Sequence, residues 1–156
     1  MPELPEVETV RRGLIPYVLG STIQRAMVHR GFGRMIKDSS VKAFRETVEG
    51  NRIEELRRHG KYLIFRLSNG RSWIVHLRMT GAFLISAGHH PRGRYERARI
   101  EITSPSYGPE VVLVFNDVRR FGTWECVPTE RETDRIPSGP DALAIDFTQD
   151  DLLGKL

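Results

Sequence analysis

The stretch KYLIFRLSNGRSWIVHL, residues 61–77, holds two runs rich in β-branched and aromatic residues, 61–67 and 71–77, parted by Ser68, Asn69 and Gly70. Turn-forming residues between two such runs are a hairpin signal. Working outward, similar short runs occupy residues 22–30, 52–58, 82–86, 98–103, 111–116 and 122–127. Many short strands with turn residues between them and few helices argue an antiparallel sandwich or barrel flanked by helices. The expected class is mainly β with flanking helices (α+β), as an antiparallel two-sheet β-sandwich with an N-terminal helix.

That helix is predicted over residues 5–19. Val7, Val10, Leu14 and Val18 recur at three- and four-residue spacing, Pro5 suits a first turn and Gly20 a stop. Glu6 and Glu8 fall in its first turn, where the helix dipole favours anions. A second, short helix is predicted over 40–48. The stretch 88–93 reads as a loop, and 128–147, with Pro128, Pro137 and Pro140, reads as a linker. Thr148 with Asp151 three residues on resembles a helix start, so 1–127 is expected to be one β-sandwich domain and 148–156 the beginning of another, helical one.

At 156 residues, 39% hydrophobic and 28% charged, the chain can bury a core without disulfides. No run approaches the roughly 18 apolar residues of a membrane span, and the opening MPELPEVE is acidic where a secretory signal is basic. No membrane role, a cytoplasmic location and a monomer are expected. The one cysteine, Cys126, makes neither an internal disulfide nor a four-cysteine metal site, so no metal is expected within this chain. The net charge of +4 is unevenly spread: residues 1–80 carry 15 Lys+Arg against 8 Asp+Glu, and residues 81–156 carry 9 against 12. Twenty of the 24 cations are arginine, whose planar fork suits phosphate and base edges.

Pro2 follows Met1. Removal of an initiator methionine before so small a residue leaves a secondary amine at the terminus. An α-amino group titrates near about 8, so part of it is unprotonated and nucleophilic at neutral pH. A secondary amine forms an iminium with a sugar aldehyde carbon, as Schiff-base lysines do with carbonyls. Glu3 beside it has the chemistry of a proton donor or acceptor.

MPELPEVETVRRGL, residues 1–14, resembles the N-terminus of the bacterial formamidopyrimidine-DNA glycosylases, also called 8-oxoguanine DNA glycosylases. GKYL at 60–63, HLRMTG at 76–81 and RRFGTW at 119–124 agree in order and spacing. The resemblance runs through the chain but covers only the first half of the family's length. It implies a base-excision repair enzyme that excises oxidised purines and then cleaves the abasic strand by β- and δ-elimination. By this resemblance Pro2 is the nucleophile, Glu3 the acid/base that protonates the opening sugar, and Glu6 a second carboxylate near the site. Lys61 matches the lysine that assists elimination near the lesion's phosphate.

Excision requires the damaged nucleotide to leave the stack, and something must fill the void. Met79, Arg119 and Phe121 match the family's three void-filling residues. A thioether and a phenyl ring wedge between bases, and an arginine donates to the edge of the orphaned cytosine. Arg120, between two residues that share a direction in an extended segment, points toward a phosphate or a structural carboxylate. His76 matches a phosphate-contacting histidine. The family often shows Lys-His before the strand starting near Ala98, where this chain has Arg94-Tyr95, and a Tyr95 hydroxyl still bonds a phosphate oxygen. His89 and His90 receive no role.

The resemblance also implies a C-terminal helical element and a four-cysteine zinc finger that binds one zinc; neither has its residues within 1–156. The expected partner is double-stranded DNA carrying oxidised purines or abasic sites, in a bacterial, nucleoid-associated setting. The expected enzyme is a bifunctional DNA glycosylase/AP lyase, weak or inactive as the isolated 156-residue piece; the rival reading is a truncated, catalytically inactive DNA-binding domain of the same fold. The related endonuclease VIII group, which acts on oxidised pyrimidines, is disfavoured by the LPEVE opening and the RRFG motif.

Overall fold

A computed structural model describes residues 4–37, 39–78, 80–87, 91–119, 122–136 and 146–148, with the backbone alone for 4–6, 87 and 146–148. Helix α1 spans Leu4–Val18 and buries Val7, Leu14, Ile15 and Val18 on one face. It stops where Gly20 takes φ +78 and the Ser21 hydroxyl donates to the Val18 carbonyl at 2.7 Å. Helix α2, Val41–Val48, begins where the Ser40 hydroxyl accepts from the Ala43 N–H at 3.0 Å.

The strands are β1 (Thr22–Val28), β2 (Ile53–His59), β3 (Tyr62–Leu67), β4 (Arg71–His76), β5 (Gly81–Ala87), β6 (Glu96–Ser104), β7 (Gly108–Asp117), β8 (Thr123–Pro128) and β9 (Asp146–Thr148). They form two antiparallel sheets, one in the order β1-β6-β7-β5 and one in the order β8-β4-β3-β2-β9. The 61–77 hairpin is β3 and β4, with Tyr62 opposite His76 and Arg66 opposite Ser72. The sheets face each other across Leu63, Phe65, Trp73, Val75 and Trp124 from one and Phe83, Ile100, Leu113 and Phe115 from the other. Trp73 stacks on Phe65 at 4.3 Å and meets Trp124 edge-on at 4.9 Å. Aromatic pairs in such geometries add about 0.5–1.5 kcal/mol beyond the area they bury.

The expected two-sheet sandwich with an N-terminal helix is what forms. Two short pieces had no periodic signature: the 3-10 helices Gly33–Met35 and Thr129–Asp134. The second falls inside the expected 128–147 linker, yet it packs on the outer face of the five-stranded sheet. There Glu132, 5% exposed, takes two hydrogen bonds from Arg66 at 2.9 and 3.0 Å and a third from the Ser72 hydroxyl. Ile136 covers Ile64, Ile74 and Val127 beside it. Near the far end of the same stretch, β9 pairs with β2, Phe147 opposite Leu56. Residues 149–156 lie outside the described residues.

Candidate nucleic-acid interface

Three chain segments meet at one end of the five-stranded sheet. The β2–β3 turn presents Lys61, β4 ends at His76, and β8 begins at Thr123, opposite His76 in the ladder. A fourth joins them from outside the sheet. Lys37 follows a parallel bridge between Ile36 and Trp124, and its N–H donates to the Trp124 carbonyl at 2.8 Å. The Lys37 ammonium sits 3.4 Å from Glu125, whose other oxygen faces Arg135 at 3.2 Å.

His76 is half-buried and edge-on to the Tyr62 ring at 4.4 Å. Burial, followed by the positive charges of Arg78, Lys61 and Lys37, lowers its pKa to about 4, so the ring is neutral at pH 7. Its Nδ1 accepts the Arg78 N–H at 3.0 Å, which puts the ring proton on Nε2. Arg78 makes that bond from a left-handed backbone conformation, φ 57, unusual for a non-glycine residue. The result is an uncharged N–H donor set among three cations.

The start of α1 is tied to this end. Glu8, buried in the second turn, accepts from Arg11 Nε at 2.9 Å, Arg12 Nε at 2.8 Å and Arg58 Nε at 3.1 Å. Arg58 also donates through Nη1 to the Gly60 carbonyl at 2.9 Å, next to Lys61. Burial alone raises the Glu8 pKa, but the hydrogen bonds from Arg11 and Arg12, the charge of Arg11 and the bond from Arg58 outweigh it and hold the carboxyl below its ordinary range. The sequence reading gave Glu8 only a helix-dipole role; its spacing from Arg11 and Arg12, three and four residues on, was the available signal.

Arg119 is exposed, and its N–H donates to the Thr80 hydroxyl at 3.0 Å. Tyr95, 37% exposed, has its ring 5.3 Å from the Arg94 guanidinium, and its carbonyl accepts from the Asp117 N–H at 3.0 Å. Beside it a cavity of about 430 Å³ is lined by Gly31, Phe32, Arg34, Met35, Arg97, Asp117 and Gly122. Pro2, Glu3, Met79, Arg120 and Phe121 lie outside the described residues, and Glu6 is described by its backbone alone. Lys37 and Arg78 belong to this end of the molecule and were not singled out from sequence.

The only thiol, Cys126 on β8, lies opposite Trp73, and burial pushes its pKa up to about 11 against the lowering charge of Arg71. Among the described residues no three His, Cys, Asp or Glu side chains form a group able to hold a metal ion. One cysteine does not fit a four-cysteine zinc site. Nor is any helix among those residues long and apolar enough to cross a membrane.

The fold is a two-sheet β-sandwich, and at one sheet end Arg78, Lys61 and Lys37 surround the neutral His76 donor, a set of groups whose chemistry suits phosphate oxygens. The chain belongs to the formamidopyrimidine-DNA glycosylase family, whose N-terminal domain model matches residues 1–124. Among its relatives, the Formamidopyrimidine-DNA glycosylase of Carboxydothermus hydrogenoformans is 39% identical over 156 residues, all of this chain and 54% of that protein. That of Herpetosiphon aurantiacus is 36% identical over 159 residues, all of this chain and 55% of that protein. The solved structure of the Lactococcus lactis FPG complexed with DNA containing FAPY-dG is similar at TM-score 0.75 and 32% identity, covering 85% of this chain and 47% of the other. The Lactococcus lactis Fpg with abasic-site DNA matches at TM-score 0.75 and 32% identity, with coverages of 85% and 46%. The chain thus spans about half the length of the curated relatives it matches.

Proposed function

We propose that this chain supplies the catalytic domain of a base-excision repair enzyme that removes oxidised purines, formamidopyrimidine and 8-oxoguanine, from double-stranded DNA and cleaves the abasic strand. The observation that carries the reading is the Glu8–Arg58–Gly60 tie, which seats the second turn of the N-terminal helix against the turn bearing Lys61. A terminal amine acting as nucleophile needs its helix anchored beside the groups that hold the phosphate.

With Met1 removed, the Pro2 nitrogen attacks C1′ and the bond from C1′ to the damaged base breaks. Glu3 protonates the sugar ring oxygen as the ring opens, leaving an iminium between Pro2 and C1′. Proton loss from C2′ then expels the 3′ phosphate, and a second elimination expels the 5′ phosphate. Lys61 assists these steps at the lesion's phosphate, His76 donates Nε2–H to a phosphate oxygen, and Met79, Arg119 and Phe121 fill the void. Arg120 and Tyr95 serve the DNA backbone, and Glu6 stands as a second carboxylate near the sugar. Borohydride trapping of a covalent complex with abasic duplex DNA tests the proposal in a protein that joins this chain to the C-terminal half of a family member; such a protein, with a free Pro2 amine, that yields no complex is not this enzyme.

A further inference from the structure

Two connections cross between the sheets at the site's end: residues 77–81 lead from β4 to β5, and 117–123 lead from β7 to β8. Both close on Asp117, a carboxylate 1% exposed. Its Oδ1 accepts the Thr80 hydroxyl at 2.5 Å and its Oδ2 accepts the Gly122 N–H at 2.7 Å. A carboxylate only accepts, so the single Thr80 proton points at Asp117 and the same oxygen is left to accept the Arg119 N–H at 3.0 Å. The hydroxyl is therefore a relay joining the two connections.

The approach is close enough to demand glycine on both sides. A Cβ on Gly81 would lie 2.5 Å from the Leu77 carbonyl, and one on Gly122 would lie 2.8 Å from the Phe115 ring and 2.9 Å from Asp117 Oδ2. The backbone of Asp117 is pinned as well: its N–H donates to the Tyr95 carbonyl at 3.0 Å and its carbonyl accepts from Arg97 Nε at 2.8 Å.

We propose that Thr80 and Asp117 are positioning residues that lock the 77–81 and 117–123 connections into one unit, so that the side chains each presents enter the duplex together. The inference rests on the repair function proposed above. Met79 is carried by one connection, Arg119 and Phe121 by the other, and all three are needed in the void at once. Unstacking a base step is costly, and two independently moving connections would add their own ordering cost to it.

Thr80→Val keeps the shape and removes both bonds, whereas Thr80→Ser keeps the hydroxyl. Excision of 8-oxoguanine from duplex DNA is measured under single turnover, beside borohydride trapping on single-stranded abasic DNA, which has no void to fill. The valine variant is expected to lose about 10- to 100-fold of its duplex excision rate, the scale of a small misplacement, with trapping on the single strand unchanged and serine restoring the duplex rate. Equal losses on both substrates, or no loss on either, overturn the coupling. All arms use the chain joined to the C-terminal half of a family member; absence of trapping by that protein with the wild-type sequence and a free Pro2 amine sinks the repair reading itself, and the coupling with it.

Discussion

Arg58 reaches back fifty residues to Glu8, Nε to Oε1 at 3.1 Å, and both side chains are buried. With Arg11, also fully buried, two guanidinium groups share this carboxylate inside the domain. Breaking a buried pair by removing one partner leaves an uncompensated charge and costs about 3–5 kcal/mol. Glu8→Ala should therefore destabilise the fold by that much in urea melts, far more than a surface charge deletion.

The same carboxylate gives the fold a pH dependence. Its pKa in the folded state is held below its ordinary value of 4.5, so the stabilisation is complete above that value and is lost as pH falls through the lower, folded one. Thermal melts between pH 6 and pH 3 should show a decline that Glu8→Gln largely flattens while lowering the Tm throughout. A wild-type decline of undiminished size in the variant would place the acid sensitivity in other carboxylates.

His76 and the cations around it should be separable by salt. Replacing Lys61 or Arg119 with alanine removes a phosphate-seeking charge, which should weaken DNA binding and lower the slope of log K against log salt by about 1. His76→Gln removes only a neutral donor and should weaken binding without altering the slope. Because its pKa is about 4, no step belonging to His76 should appear near pH 6.5 in a binding profile. A change of slope in the glutamine variant would mean that the imidazole is charged when DNA is bound.

Pro2 provides the most direct chemical prediction. Pro2→Gly retains a terminal amine of altered basicity and geometry, so trapping with abasic DNA should fall without vanishing. Acetylation of the terminus should abolish it, as should retention of Met1, which turns the proline nitrogen into an amide. Undiminished trapping by the blocked protein would make a lysine, foremost Lys61, the nucleophile.

If Met79 and Phe121 face DNA, alanine at either position should change stability by less than about 1 kcal/mol, against roughly 2–5 for a buried residue of that size. Chemical denaturation decides between these. The larger loss would assign that residue to the core.

The hairpin at 61–77 was legible because its alternation and turn residues are local, and α1 because Val7, Leu14 and Val18 repeat at helical spacing. β6 was placed two residues late, at Ala98. Glu96 and Arg97 are both buried at its start, and a charged pair carries no apolar pattern until its partners are known. The distant ones include His29, 2.6 Å from Glu96, and the Phe32 ring, 4.5 Å from Arg97, beside the nearby Arg99 that also binds Glu96. Glu132 was hidden for the same reason, its partner Arg66 lying 66 positions away. Within the site, Lys61 and His76 were reached through the family resemblance of GKYL and HLRMTG, since a strand lysine or histidine taken alone reads as a solvated or core residue. The Thr80–Asp117 relay and Lys37 were not visible, because hydrogen bonds between distant loops leave no mark on spacing.

The Cys126 thiol has a consequence for experiments on this protein. Raised to about 11 and partly covered, it carries almost no thiolate at neutral pH, and the chain has no second cysteine. The wild type is thus a nearly silent background for thiol chemistry. A cysteine introduced at exposed Ser106, in the turn between β6 and β7, would take a maleimide dye selectively. A donor there and an acceptor on an oligonucleotide would report how the sandwich sits on a duplex, with Cys126 left in place.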